Sequence, residues 1–177
     1  MIALLLSLVA PADAASLAGV TLPDTATVGG QSLVLNGLGL REKFYFDIYV
    51  GGLYLPAKTT AASSAIDQDV PKRLVMHFIY KEVTAEQLVE AYEEGTAKNP
   101  AAPAQAENLT KLHGWMEAVH PGDEVVFDYV PGTGTSVTVK GASKGTIPGA
   151  DFMKVLWSVY LGSNPPTTAL RSGMLGG

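Results

Sequence analysis

Residues 32 to 55 hold two strand-like runs almost back to back, SLVLNGLGL and FYFDIYVGGLYL, with only Arg41-Glu42-Lys43 between them. Both runs are rich in leucine, valine, tyrosine and phenylalanine, residues that suit a half-buried pleated surface. A break of three residues is far too short for a parallel crossover, so the two runs must pair antiparallel. That requirement commits the chain to a fold with an antiparallel sheet. KRLVMHFIYKE (Lys72 to Glu82) reads as a further strand with apolar side chains on both parities, hence covered on both faces.

Helical signals come next. Thr84-Ala85-Glu86-Gln87 is a capping box: the threonine oxygen accepts from the Gln87 N–H, and the glutamine side chain reaches back. Ala85, Leu88, Val89 and Tyr92 then recur at helical spacing, predicting a helix from about Thr84 to Gly95. After the Pro/Ala-rich loop Asn99 to Ala106, Leu109, Leu112, Met116 and Val119 mark the face of a second helix that ends before Pro121. DEVVFDYV and TSVTVKG, joined at Pro131-Gly132-Thr133-Gly134, then read as a hairpin, with Lys144 to Ile147 as a third short strand. Pro148 and Gly149 open a last main helix that buries Phe152, Val155, Leu156 and Val159, with Gly162 as its expected C′ residue. Pro165-Pro166 starts a short terminal segment. Strands, helices, strands, helix: this order predicts an α+β domain on an antiparallel sheet, one face carrying the helices.

The first fourteen residues, MIALLLSLVAPADA, stand apart. An apolar run from Ile2 to Ala10 precedes Pro11 and a small-x-small pattern ending at Ala14. This reads as a secretory signal peptide cut after Ala14, too short to span a bilayer, with residues 15–177 as the domain. The expected location is periplasmic or secreted. Cysteine is absent, which excludes disulfides, thiol nucleophiles and thiolate metal sites. Net charge is −5 with no Lys/Arg block, which argues against nucleic acid as a partner.

Most candidate chemistry fails on spacing. His77, His113 and His120 match no zinc pattern; the last two sit two helical turns apart, roughly 10 Å at 1.5 Å per residue. Gly132-Thr133-Gly134 lacks the Lys-Ser/Thr that a phosphate loop needs. Glu93 and Glu94 diverge by about 100° on their helix. Lys140 and Lys144 flank a turn and are expected to be solvated. No cofactor or metal is implied. Arg41 remains. On residue chemistry alone it is either a turn arginine paired with Asp47 or a neighbouring carboxylate, or an anion anchor at the mouth of an apolar pocket. Tyr45, Phe46, Tyr49 and Tyr54 lie around it, and Tyr49 on the returning strand can bring a phenol toward the guanidinium. An arginine fork with a phenolic O–H makes a carboxylate or phenolate receptor.

In order and spacing, GLGLREKFYFDIYVGGLYL, KRLVMHFIYKEVTAEQLVEAYEEG and VFDYVPGTGTSVTVKGASKGTIPGADFMKVLWSVYLGSNP resemble chalcone-isomerase-like proteins, over about Gly19 to Pro165. The most specific pieces are G-x-R followed by Y-x-x-G-L-Y-L, and the late L-x-x-x-Y-L-G-x-N-P-P. The resemblance implies an open-faced β-sandwich, a large antiparallel sheet with a layer of helices and a ligand cleft between. It also implies one of two biochemistries. Isomerases of the family close a chalcone to a flavanone; sister proteins bind fatty acids. Both use an arginine that Arg41 matches. Where isomerases carry a threonine on the next strand the fatty-acid binders carry tyrosine, and this chain has Tyr49. The isomerase's helix tyrosine and asparagine align with Leu88 and Gly95, and its last-helix threonine with Val159. The resemblance thus implies a binder of a fatty acid or similar apolar carboxylate, held by Arg41 and Tyr49, and the leader-like first residues imply that it is exported. Two alternatives stand beside it: an intramolecular lyase in which Arg41 stabilises an enolate or phenolate, and a structural or interaction protein with a closed cleft.

Overall fold

A computed structural model describes residues 14–177. Seven antiparallel strands run in sequence order across one sheet: β3 (Thr25–Val28), β4 (Gln31–Lys43), β5 (Phe46–Leu55), β6 (Lys72–Phe78), β7 (Glu124–Val130), β8 (Gly134–Val139) and β9 (Ala142–Ile147). The β4–β5 and β7–β8–β9 hairpins follow from the short connections read in the sequence, while longer helix-bearing segments join β5 to β6 and β6 to β7. Helices α1 (Ala62–Asp67), α2 (Ala85–Thr96), α3 (Ala106–Gly114), α4 (Ala150–Leu161) and α5 (Thr168–Met174) accompany it. The α+β expectation holds, and so does the capping box: Gln87 N–H donates to Thr84 Oγ1 at 3.3 Å, and Thr84 N–H to Gln87 Oε1 at 3.0 Å.

Two apolar clusters cover the two sheet faces. The larger joins Tyr49, Leu53, Leu74, Phe78 and Phe127 to the helices through Leu88, Tyr92, Leu112, Phe152, Leu156 and Leu170. The smaller joins Leu33, Leu35, Val50, Tyr54 and Val75 to Val20 and Leu22. Those last two residues belong to β2 (Val20–Pro23), which pairs with β1 (Ala14–Leu17) as a separate hairpin. That hairpin covers the face for which sequence pattern supplies no cover. The segment read as a signal peptide lies outside the described residues apart from Ala14, the first residue of β1.

Several local expectations need correction. The β4–β5 turn is not Arg41-Glu42-Lys43. β4 continues through Lys43, and the two-residue turn is Phe44-Tyr45, with φ of 51° and 66°. Gly37 and Gly39 have a packing role. They lie within β4, where a Cβ on Gly37 would come 2.1 Å from the Gly173 carbonyl oxygen and one on Gly39 2.1 Å from that of Leu170. The glycines let α5 lie directly on the strand backbone. Asn36 ties the same contact: its amide donates to the carbonyls of Met174 at 2.8 Å and Thr59 at 3.0 Å, and its oxygen accepts from Thr59 N–H at 2.7 Å. The bond to Met174 takes up a carbonyl at the end of α5 that no intrahelical N–H can reach.

The second helix stops at Gly114; Met116 and Val119 are buried beyond it, Val119 bridging antiparallel to Val83. Gly162 caps α4 with φ −74°, not a left-handed one; a Cβ there would sit 2.4 Å from the Ser158 carbonyl oxygen. Lys144 is not simply solvated but pairs with Glu117.

Candidate functional site

Between the helix-bearing sheet face and helices α2 and α4 lies a cavity of about 320 Å³. Its sheet wall is Arg41, Ile48, Tyr49, Met76, Phe78 and Tyr80; its helix wall includes Leu88, Ala91, Tyr92, Val159 and Tyr160. Lys43, Phe44, Phe46 and Glu82 also line it, at the end near the β4–β5 turn.

Strand register builds the polar part of this wall. Arg41 pairs directly opposite Tyr49, so both side chains stand on the same sheet face. The next pair is Glu42 with Asp47, which leaves Ile48 as an extra residue on β5. This bulge bends the strand next to the cavity, as bulges beside functional sites do. The Ile48 carbonyl is then satisfied from just beyond β6, by the N–H groups of Ile79 at 3.0 Å and Tyr80 at 3.2 Å. Arg41 is half-buried, and its Nη1 donates to the Glu42 carbonyl at 2.5 Å. Among the described residues it has no carboxylate partner, and the Asp47 ion pair does not form.

The phenols lie deeper. Tyr49 is buried, its ring 5.3 Å from that of Phe78. Burial pushes its pKa well up, the neighbouring Tyr92 adds to that, and the Arg41 guanidinium pulls the other way. The phenol is therefore a neutral donor across the physiological range. Tyr160 donates to the Tyr92 hydroxyl at 3.1 Å and lies 2.9 Å from the Met76 sulfur. Burial is the main cause of the raised pKa of both phenols. Tyr92 also stacks on His113, ring centroids 6.4 Å apart. In the sequence Tyr92 reads only as part of an apolar helix stripe and Tyr160 only as part of the late family motif, neither as a site residue. Their convergence depends on how α2 and α4 cross, which no local pattern reports.

The other aromatics expected around Arg41 are dispersed. Tyr45 projects fully into solvent from the turn. Tyr54 points to the opposite face and donates to the Pro23 carbonyl at 2.8 Å. Leu88 and Val159, which align with polar isomerase residues, do line the cavity and offer it only hydrocarbon. Gly95 does not line it. A Cβ there would come 2.6 Å from Val159 Cγ1, so its small size serves the close packing of α2 on α4.

A chalcone isomerase-like family profile matches residues 14–176. The chain belongs to the chalcone isomerase-like family. The match spans every element of the fold, from β1 to α5. No curated protein matches in sequence. Among solved structures, this chalcone isomerase-like chain is similar to an Arabidopsis thaliana fatty-acid binding protein, with a TM-score of 0.69 and 14% identity, over 92% of this chain and 96% of the other. At that identity the likeness establishes the curled sheet and its helices, the open-faced sandwich expected from sequence.

Proposed function

We propose that this protein binds a fatty acid or similar apolar carboxylate in the cavity between sheet and helices, its head group held by Arg41 and Tyr49. One observation carries the reading. A guanidinium with no carboxylate partner among the described residues stands directly opposite a neutral phenol, on the wall of a cavity that Ile48, Phe78, Leu88 and Val159 also line. The solved structure of like fold, a fatty-acid binding protein, supports it.

The energetics divide the work. Each buried methylene contributes about 0.8 kcal/mol, and a charge-assisted contact to the carboxylate roughly 1.5–3 kcal/mol net. Affinity comes mainly from the chain, and orientation from Arg41 and Tyr49. The lyase alternative meets only hydrocarbon at the two lining positions that align with polar isomerase residues, Leu88 and Val159, so any orienting of a polyhydroxylated chalcone falls to other groups such as Tyr92 and Tyr160. Assay with naringenin chalcone separates the two: this reading predicts no rate above spontaneous ring closure.

Native mass spectrometry of the purified protein, then lipid extraction and titration with laurate and palmitate, tests the binding role. Ligand-free protein that takes up neither acid would end it. The same proposal includes export, on the strength of the leader-like residues 1 to 14. Cell fractionation with intact-mass analysis checks this; a cytoplasmic chain retaining Met1 contradicts it.

A further inference from the structure

The β4–β5 turn spends conformational strain on exposed aromatics. Both turn residues, Phe44 and Tyr45, occupy the left-handed region, where asparagine and glycine are suited and bulky side chains are outliers. Phe44 is 79% exposed, Tyr45 102% and Phe46 56%, the exposed large hydrophobic residues among those described. Tyr45 contributes nothing to the core. Phe46 leans on Tyr80 with ring centroids 5.5 Å apart, and Lys43 and Lys81 hold their ammonium groups about 6 Å from the rings of Phe44 and Tyr80. Strain kept at a solvent-facing turn points to a use outside the fold.

We propose that this hairpin tip docks on a phospholipid bilayer, setting Phe44, Tyr45 and Phe46 at the headgroup level. Tyrosine, with an apolar ring and a polar tip, belongs in that zone, and lysine stems lie along apolar surface while their heads stay in water. A protein partner fits less well. Three side chains at a projecting hairpin tip fall far short of the area a specific protein interface buries, whereas a bilayer imposes no shape requirement. The local charge also shapes the claim. Arg41, Lys43 and Lys81 are matched by Glu42, Asp47 and Glu82, so docking rests on the aromatics and needs no anionic lipid. Phe44 and Phe46 line the cavity as well, so a docked tip places the cavity's entrance at the membrane surface. The inference goes beyond the proposed ligand: the tip docks whether or not the cavity holds a fatty acid.

Flotation of the purified chain with phosphatidylcholine vesicles, with and without added phosphatidylglycerol, tests it at about 150 mM salt. The unaltered chain floats with both vesicle types, and raising the salt leaves this unchanged. Tyr45→Asp, tolerated in the left-handed region, lowers vesicle affinity at least about tenfold. Tyr45→Trp preserves binding. Laurate uptake without vesicles is the same in all three chains, because Tyr45 does not line the cavity. Failure of the unaltered chain to float overturns the inference, as does flotation indifferent to Tyr45→Asp or abolished by salt. Self-association through the tip, dissolved by Tyr45→Asp in place of vesicle binding, would assign the tip to a second copy and overturn it too. Loss of laurate uptake with flotation intact counts against the cavity reading alone.

Discussion

Lys72 is the most deeply buried charge-bearing side chain in the described fold, with no exposed surface. Its Nζ donates to the carbonyls of Ala65 at 2.8 Å and Ile66 at 3.3 Å, near the end of α1, and lies 6.0 Å from the Trp157 ring. Desolvation is the main cause that pushes its pKa from 10.5 down to about 8, against attraction from Asp67 and Asp69. Between those two values the unfolded chain binds the proton and the folded chain releases it. Stability therefore rises with pH across that window. Above about pH 10 the trend reverses, because unfolded tyrosines ionise while Tyr54 and Tyr129, held up to about 12, do not. Thermal melts from pH 7.5 to 10 check this: Tm rises for the natural chain, and Lys72→Met flattens the rise. Tyr49 shows what else a single residue decides. Removing its hydroxyl in Tyr49→Phe keeps the ring against Phe78 and costs laurate affinity about two- to tenfold, the value of one hydrogen bond.

At the scale of elements, the contact of α5 on β4 is the one that side-chain size controls most sharply. Backbone oxygens of α5 occupy the space that side chains at Gly37 and Gly39 would need. Gly39→Ala forces the helix off the strand and costs about 1–3 kcal/mol, within the range for overpacking; urea melts measure it, and an unchanged midpoint contradicts the packing described. The same elements show where sequence reading succeeds. The α2 start is legible because Thr84 and Gln87 are local partners three residues apart. The β4–β5 and β7–β8 hairpins are legible because their connections are short. The turn at Phe44-Tyr45 is not, because two aromatics carry none of the chemistry that marks a left-handed turn. The role of Gly37 and Gly39 is hidden for a related reason. A glycine in a strand reports free space or a bend, and only the position of α5, more than a hundred residues on, tells which.

For the molecule as a whole, the sheet has a helix-covered face and a hairpin-covered face, and the cavity opens only on the first. Arg41 was legible as a candidate from its place at a charged break in an apolar run, and its pairing with Tyr49 follows from the register. Tyr92 and Tyr160 were not legible, since α2 and α4 bring them together from 68 residues apart. The cavity's size carries its own expectation. At roughly 30 Å³ for a water-sized group, 320 Å³ accommodates about ten such groups, and a methylene is of similar size. Affinity for saturated acids should therefore climb about fourfold per methylene through the medium chains, then level off once the chain outgrows the cavity; a flat series across chain length contradicts an apolar cleft as its seat. The central claim is that Arg41 anchors an apolar carboxylate. Calorimetric titration of laurate into the natural chain and into Arg41→Ala, side by side, tests it most directly. The expected result is saturable binding that weakens about 10- to 100-fold on losing the guanidinium. Equal affinity in the two chains, or binding in neither, would contradict it.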